Sequence, residues 1–314
     1  MKRATIINPF QKEILPFLKP IYDICVELGF RHKENINFPR FLHYVLYKFP
    51  INFNLSFITS PHEAKVMLIS ANHTRISIFP HAYNKEIIPV IWDCWPNSRK
   101  YIEELFSRTK VKIAFFSARQ NIEYFKEKYP NIQMLFFPEA INTSLYLRGD
   151  DLDKRKIDLL EYGRSNNNVH NELLKINGIK HLYSKQGEQL FSSFSDLAKS
   201  IANTKVVIAY PRCDTSPEST GNIETLTQRF WECMYSRTII VGRAPQELID
   251  LIGYNPVIDA EITNITDVIK KVLANCKDYQ DLVNRNHEMA KTVGNYTNRL
   301  IEFRDILREK GYEL

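Results

Sequence analysis

Short apolar segments alternate with amphipathic segments along most of these 314 residues, and this alternation restricts the possible folds more than any other feature. Strands that alternate with helices form parallel sheets covered by helices on both faces. The predicted strands are 5–8, 66–70, 88–92, 111–116, 134–137, 157–162, 180–183, 206–209, 238–241 and 256–258. The predicted helices are 98–107, 119–128, 172–175, 194–202, 227–235, 245–252 and 267–275.

The chain is long for one hydrophobic core, so we expect two domains. The charged segment LRGDDLDKRK, residues 147–156, is the best candidate linker. We therefore predict an α/β protein of two Rossmann-like, doubly wound domains that face each other across a cleft. Residues 1–150 form the first and 151–290 the second, while residues 291–314 form a helix that packs back across both. The ligand site is expected beyond the carboxyl ends of the strands.

Composition excludes several classes of protein. The five cysteines are single, with no zinc-site spacing, which favours reduced thiols in a cytoplasmic protein. The N-terminus lacks the pattern of a signal peptide, and no stretch approaches 18 apolar residues. The net charge of +6 suits an anionic ligand and leaves open a peripheral membrane contact. The basic residues form no stripe, so we expect no nucleic-acid partner.

The segment ETLTQRFWECMYSRTIIVG, residues 224–242, is the strongest functional motif. Seven residues separate Glu224 from Glu232, and a polar loop leads into a helix that Thr225 or Thr227 can cap. The N-terminus of such a helix favours a phosphate, and a carboxylate two turns on can accept hydrogen bonds from a ribose diol. The alternative is that both glutamates are ordinary surface charges. Apolar neighbours of Glu232 raise the cost of leaving it without partners.

This spacing resembles the nucleotide-sugar motif of the GT-B glycosyltransferases, and the core around Arg229, Phe230 and Glu232 fits the CgeB-like branch equally well. The segment DLLEYGR, residues 158–164, looks like the first strand of the family's donor domain. A lysine that follows this segment in the family is missing, so other basic residues would have to neutralise the phosphates. The resemblance implies a donor site formed by Gly163, Arg164, Lys185, Tyr210, Arg212, Thr225, Leu226, Thr227, Arg229 and Glu232.

The catalytic candidates are Asp93 and Glu224. Asp93 directly follows a predicted strand among aromatic residues, where desolvation would raise its pKa and suit it to act as a general base. The alternative is that Asp93 caps the helix that begins near Pro96. His73 and His81 are further candidates for the base. In this fold helix N–H groups and basic side chains stabilise the leaving phosphate, so we expect neither a metal nor another cofactor.

The sequence thus predicts a metal-independent glycosyltransferase that moves a sugar from a nucleotide-diphosphate sugar to a glycan or a lipid-linked acceptor. The resemblance implies that residues 1–150 bind the acceptor and residues 151–290 bind the nucleotide sugar. Synthesis of surface polysaccharide is the expected setting. Two alternatives stay open. One is a sugar-nucleotide epimerase or hydrolase on the same fold. The other is a GT-B-like protein that binds sugar nucleotides but has lost its catalytic activity.

Overall fold

A computed structural model describes residues 1–9, 17–34, 45, 63–78, 86–163, 166–184 and 188–314, and the statements below concern these residues. The chain divides into two compact units. Unit 1 contains Met1–Pro138, Glu218–Ile223 and Tyr296–Leu314, and unit 2 contains Glu139–Pro217 and Glu224–Asn295. The chain therefore passes between the units several times.

The helices and strands of the described residues are numbered in chain order. The first half contains β1 Lys2–Ile7, α1 Lys19–Glu27, β2 His32–Lys33, β3 Ala64–Ser70, α2 Thr74–Ile78, β4 Glu86–Trp92, α3 Arg99–Arg108, β5 Lys110–Val111, β6 Ile113–Phe116, α4 Arg119–Lys128, β7 Gln133–Phe136, β8 Ile157–Leu160 and α5 Asn167–Leu173. The second half contains β9 His181–Leu182, α6 Phe194–Ala202, β10 Thr204–Ala209, α7 Arg212–Thr215, α8 Pro217–Thr220, α9 Gln228–Tyr235, β11 Ile239–Gly242, α10 Gln246–Ile252, β12 Ile258–Asp259, α11 Ile265–Ala274, α12 Gln280–Thr292, α13 Tyr296–Glu309 and β13 Tyr312–Glu313.

Unit 1 contains a parallel sheet with the strand order β13-β1-β3-β4-β6-β7. The strands β3 and β4 are buried along their whole length, as expected for strands with helices on both sides. Aromatic rings fill one side of the sheet, where Phe116 stacks on Phe125 with 5.3 Å between the ring centroids. Phe115, the neighbour of Phe116 on β6, points to the opposite face. There Phe303 of α13 packs against Phe115 and Phe137, so the far end of the chain covers the other side of this sheet.

Unit 2 contains a parallel sheet with the strand order β12-β11-β10-β8-β9. Successive residues of β10 point to opposite faces, as strand geometry requires. Val207 and Ala209 join a core cluster with α6 and α9, whereas Val206 and Ile208 join a second cluster with α5 and α11. Helices therefore cover both faces, and the predicted doubly wound α/β fold class is confirmed in each unit.

The segment predicted as a linker lies inside unit 2. Within it, Leu152 and Arg155 are buried, and the Arg237 guanidinium bonds the Gly149 carbonyl at 2.9 Å and an oxygen of Asp151 at 2.8 Å. The division between the compact units comes earlier than the predicted boundary at residue 150, between Pro138 and Glu139. The assignment of acceptor and donor to the two halves stays a prediction.

The helix α13 lies within the predicted C-terminal segment 291–314, and a short strand, β13, that the sequence did not predict follows it. This strand pairs with β1 in parallel through Lys2↔Tyr312 and Arg3↔Glu313, so both elements belong to unit 1. None of the helices in the described part of the chain combines the length and the apolar character that crossing a membrane requires.

Candidate functional site

The strand order of unit 2 makes the carboxyl ends of its central strands the candidate place for a ligand. The chain leaves β8 towards β9 on one side and then returns to β10 on the other side of β8. Connections that diverge in this way leave a crevice beyond the carboxyl ends of the two central strands. Glu161, Tyr162 and Gly163 follow β8, and Tyr210 follows β10, so predicted site residues lie at this switch point.

Gly163 permits a close approach between the end of β8 and α9. Its φ of +77° is a conformation that favours glycine, and a Cβ at this position would collide with the guanidinium of Arg229. The structure therefore brings together two of the predicted donor-binding residues. Arg164 and Lys185, which the resemblance also assigns to the donor, lie outside the described residues, as does His81.

Arg229 presents its positive charge beside Gly163. Its guanidinium carbon lies 5.1 Å from the centroid of the Tyr162 ring, within range for a cation–π contact. The side chain is half-buried, and within the described part of the chain its guanidinium makes no hydrogen bond or ion pair. Arg229 is the second residue of α9, where backbone N–H groups also lack helical acceptors. A cation and free donors together favour an anion here.

The residues just before α9 offer mainly backbone groups to a ligand. Thr227 is the N-cap residue, but its side chain makes none of the expected capping bonds. Leu226 is fully buried in the core of unit 2, so only its backbone is available to a ligand. Thr225, which precedes Leu226, is half-buried.

Glu232 is buried and held by two tyrosine hydroxyls. Tyr146 donates to Oε1 at 2.6 Å, and Tyr162 donates to Oε2 at 2.7 Å. Burial raises the pKa of Tyr162 well above its usual value, and the nearby Cys233 and Glu232 add to this effect, so the hydroxyl stays protonated as a donor. Sequence reasoning missed both tyrosines. Tyr162 directly precedes the glycine of the recognised segment, whereas nothing local marks Tyr146.

Glu224 makes structural contacts in the described residues. One oxygen pairs with Arg243, and the other accepts from the backbone N–H of Gln246 at 2.8 Å, the first residue of α10. Arg243 in turn forms a two-pronged ion pair with Asp214, with distances of 2.6 and 2.8 Å. Glu224 therefore joins the loop after β10 to the start of α10, and its catalytic role stays a prediction.

Tyr210 and Arg212 lie in the same loop. The Tyr210 hydroxyl donates to the carbonyl of Ala260 at 2.9 Å and so connects the ends of β10 and β12. Burial raises the pKa of Tyr210 to about 12. Arg212 begins α7 and is half-buried. The assignment of Tyr210 and Arg212 to the donor site stays a prediction.

Asp93 follows β4 at the carboxyl edge of the sheet in unit 1. Its φ of +52° is uncommon for a residue other than glycine, although aspartate tolerates it better than most. The N-cap residue of α3 is Ser98, whose hydroxyl donates to the carbonyl of Asp93 at 3.2 Å, so the proposed capping role of Asp93 is not observed. Burial lowers the pKa of His73, and the charge of Asp93 opposes that shift.

In unit 2, a cluster formed by Glu161, His170 and His181 lies beside Tyr162. A single oxygen of Glu161 lies 2.9 Å from Nδ1 of His170 and 2.8 Å from Nε2 of His181. Burial alone would raise the pKa of Glu161, but the bonds from His181 and His170 hold it below its usual value. The carboxylate thus stays ionised and fixes the residues that precede Tyr162.

His287 contacts the far end of α9 and gives a test of stability against pH. Its ring is 6% exposed and hydrogen-bonds the carbonyl of Tyr235. Burial lowers the pKa of His287, although the bond to the carbonyl opposes the shift. A proton therefore binds the unfolded chain more readily than the folded protein.

We expect the melting temperature to fall as the pH drops below about 6.5, where a histidine of the unfolded chain becomes charged. The stability that this pKa difference provides is complete above that pH and is lost as the pH approaches the lower pKa of the folded state. His73 contributes in the same direction. Thermal unfolding of the wild type and of His287→Gln between about pH 7.5 and 5.5 measures the effect. An equally steep pH dependence in both proteins would contradict the assignment to His287.

Comparisons with known proteins identify the fold. No protein-family model matches the sequence, and no curated protein matches it either. Sucrose-phosphate synthase from Thermosynechococcus elongatus is similar in structure, with a TM-score of 0.65 over 98% of this chain and 99% of that chain at 9% identity. HepE from Anabaena, solved with UDP and glucose, has a TM-score of 0.65 over 98% and 100% of the chains at 8% identity.

A UDP-N-acetylglucosamine 2-epimerase is also similar, with a TM-score of 0.51 over 99% of this chain and 97% of that chain at 9% identity. At such low identity, these similarities establish the fold and not the activity. They extend over nearly the whole chain and agree with the doubly wound sheet in each unit. The chain therefore has the GT-B fold that these structures share.

Proposed function

We propose that this protein is a glycosyltransferase that binds the nucleotide diphosphate of a sugar donor at the carboxyl ends of β8 and β10. The observation that carries the proposal is the half-buried Arg229 guanidinium, which has no anionic partner in the described residues. A guanidinium presents a planar set of donors that matches phosphate oxygens. The fold and the complexes of HepE with UDP support a nucleotide as the source of that phosphate.

Each part of the donor has a candidate partner. The guanidinium of Arg229 and the first N–H groups of α9 would hold the diphosphate. The missing Cβ of Gly163 leaves room for that guanidinium. Arg164 and Lys185 would add charge. Glu232 would accept hydrogen bonds from the ribose hydroxyl groups, since each carboxylate oxygen can accept more than one hydrogen bond.

We propose a metal-independent reaction, in which these groups would stabilise the leaving diphosphate electrostatically. Asp93 is the proposed base that would take the proton from the acceptor hydroxyl. We further propose a glycan or a lipid-linked acceptor and a role in surface polysaccharide synthesis. These assignments rest on the resemblance in sequence.

Arg229→Ala is expected to weaken nucleotide binding roughly 10- to 100-fold, which corresponds to the loss of one or two hydrogen bonds to a charged group. The measurement is calorimetric titration with UDP, GDP and ADP in the absence of added metal. We expect one of the three to bind the wild type selectively and to raise its melting temperature.

Arg285→Ala is the matched control, because Arg285 also lies over a tyrosine ring of unit 2, 3.6 Å from the centroid of Tyr254, but away from β8. It should leave nucleotide affinity unchanged. If none of these nucleotides or their common sugar derivatives binds the wild type, the proposal is wrong. If the wild type and Arg229→Ala bound the nucleotide with equal affinity, Arg229 would not contribute to the site.

An epimerase is the second candidate, because a solved UDP-N-acetylglucosamine 2-epimerase has a similar fold. The two activities differ in their products. An epimerase converts the sugar while it remains on the nucleotide or releases it without an acceptor, whereas a transferase releases the nucleotide diphosphate only as the acceptor gains a sugar. Incubation with the bound sugar nucleotide alone, followed by product analysis, distinguishes them.

A further inference from the structure

The carboxylate of Glu232 is held in one orientation by groups from two distant parts of the sequence. Tyr162 follows β8, and Tyr146 lies in the segment before β8 that runs along α9. The same segment is tied to α9 where the Trp231 indole N–H donates to the Glu139 carbonyl at 2.7 Å. Both anchors are therefore part of the folded framework of unit 2.

One hydroxyl on each oxygen removes the freedom that a glutamate carboxylate normally has. The last torsion of a free glutamate is broad, so its two oxygens sample many directions. The tyrosine hydroxyls lie 2.6 and 2.7 Å from the carboxylate oxygens, distances typical of short hydrogen bonds to a carboxylate. They use two of about four acceptor positions on the carboxylate and leave one on each oxygen. Two acceptors held side by side match the spacing of a vicinal diol.

Tyr162 also connects this carboxylate to the cation of the site. Its hydroxyl bonds Glu232, and its ring lies beneath the Arg229 guanidinium. Arg229 and Glu232 are three residues apart on α9 and so lie on neighbouring positions of the same helix face. A single nucleotide could therefore place a phosphate on Arg229 and a sugar hydroxyl on Glu232.

We propose that Tyr146 and Tyr162 are positioning residues that orient Glu232 for the ribose diol of a nucleotide. This inference rests on the proposed function and adds to it a source of selectivity for ribose. Without either hydroxyl, Glu232 would still be present but would point in several directions. The protein should then bind diphosphates but discriminate poorly between nucleotides with and without the diol.

The test compares the best-binding nucleotide among UDP, GDP and ADP with its 2′,3′-dideoxy form and with inorganic pyrophosphate, by calorimetric titration. We expect the wild type to prefer the ribonucleotide by about tenfold or more, as for a pair of charge-assisted bonds. In Tyr162→Phe and in Tyr146→Phe this preference should fall to about two- to threefold. Pyrophosphate affinity should stay unchanged. Glu232→Gln serves as the reference: it shows the preference for the ribonucleotide over its dideoxy form that remains when the carboxylate itself is lost.

Tyr254→Phe is the matched control, because it removes another tyrosine hydroxyl of unit 2 that bonds a side chain, that of Asn286, at 2.8 Å. It should keep the full preference for ribose. A purely structural role of the two tyrosines would lower the affinity for all three ligands equally and leave the preference intact, and that result would overturn the inference. So would a wild type that binds both nucleotide forms equally.

Failure of the proposed function gives a different result from failure of this inference alone. In the first case the wild type binds none of the three ribonucleotides, and the inference falls with the function. In the second case the wild type binds a nucleotide, but the tyrosine variants discriminate as it does. The two variants change residues in separate segments, so one of them remains informative if the other does not fold.

Discussion

Arg155→Met is expected to lower the free energy of unfolding by roughly 3 kcal/mol or more, because it leaves several buried acceptors without a donor. The Arg155 guanidinium donates to the carbonyls of Asp150, Thr204 and Ser236 at 2.7–2.9 Å, and to the hydroxyl of Thr238 at 3.0 Å. The side chain is 3% exposed. Its position at the C-terminal end of α9 also lets it interact favourably with the helix dipole.

Urea unfolding at neutral pH measures the effect. Burial lowers the pKa of Arg155 to about 10, so the guanidinium remains charged there. Arg148→Met is the control: Arg148 is exposed, seven residues earlier, and its side chain has no hydrogen bond or ion pair in the described part of the chain. That change should alter stability by less than about 0.5 kcal/mol. An equal loss of unfolding free energy in both variants would show that the buried contacts of Arg155 do not stabilise unit 2.

Gly242→Ala is the second change for which we expect a large loss of stability. Gly242 ends β11 opposite Ala209 of β10, with a φ of +143°. A Cβ there would overlap the carbonyl oxygen of Ala209 and lie 2.9 Å from its carbonyl carbon. That oxygen already accepts from the N–H of Arg243 at 3.1 Å. Because backbone atoms cannot swing aside, the central strands must separate, at a cost of roughly 3 kcal/mol or more.

Gly253→Ala separates this clash from the strain of the backbone conformation alone. Gly253 ends α10 in the left-handed region, with a φ of +77°, and no heavy atom lies within 4 Å of a Cβ built there. The same substitution should therefore cost only about 1–2 kcal/mol. Denaturant unfolding of both variants gives the comparison. A loss for Gly242→Ala no larger than that for Gly253→Ala would mean that the strands absorb the methyl group.

Much of the fold could be predicted from hydrophobic patterning because its central elements have strong local signals. The helices Arg119–Lys128 and Phe194–Ala202 have the predicted bounds. The strand Tyr312–Glu313 was not predicted, since two residues carry no period and the pairing with β1 is distant in sequence. Composition indicated a linker around Arg155, because arginine is usually exposed. In the fold Arg155 is buried and bonds carbonyls at the ends of strands and a helix, and composition does not reveal these contacts.

The candidate site was predicted in part, through residues that belong to recognisable segments. Gly163, Arg229 and Glu232 lie within such segments, and unit 2 brings them together around Tyr162. Tyr146 could not be found in this way, because it lies 86 positions from Glu232 and only tertiary structure joins them. The contacts of Glu224 with Arg243 and Gln246 were equally invisible in the spacing of the two glutamates.

The division of the chain between the units has a consequence for folding during synthesis. Unit 2 ends at Asn295, whereas unit 1 needs residues 296–314, which supply Phe303 to its aromatic core and β13 to the edge of its sheet. Domains usually fold in the order in which the ribosome releases them. Here the unit that begins first is completed last, so Phe115 and Phe137 stay uncovered on the nascent chain while the whole of unit 2 is made.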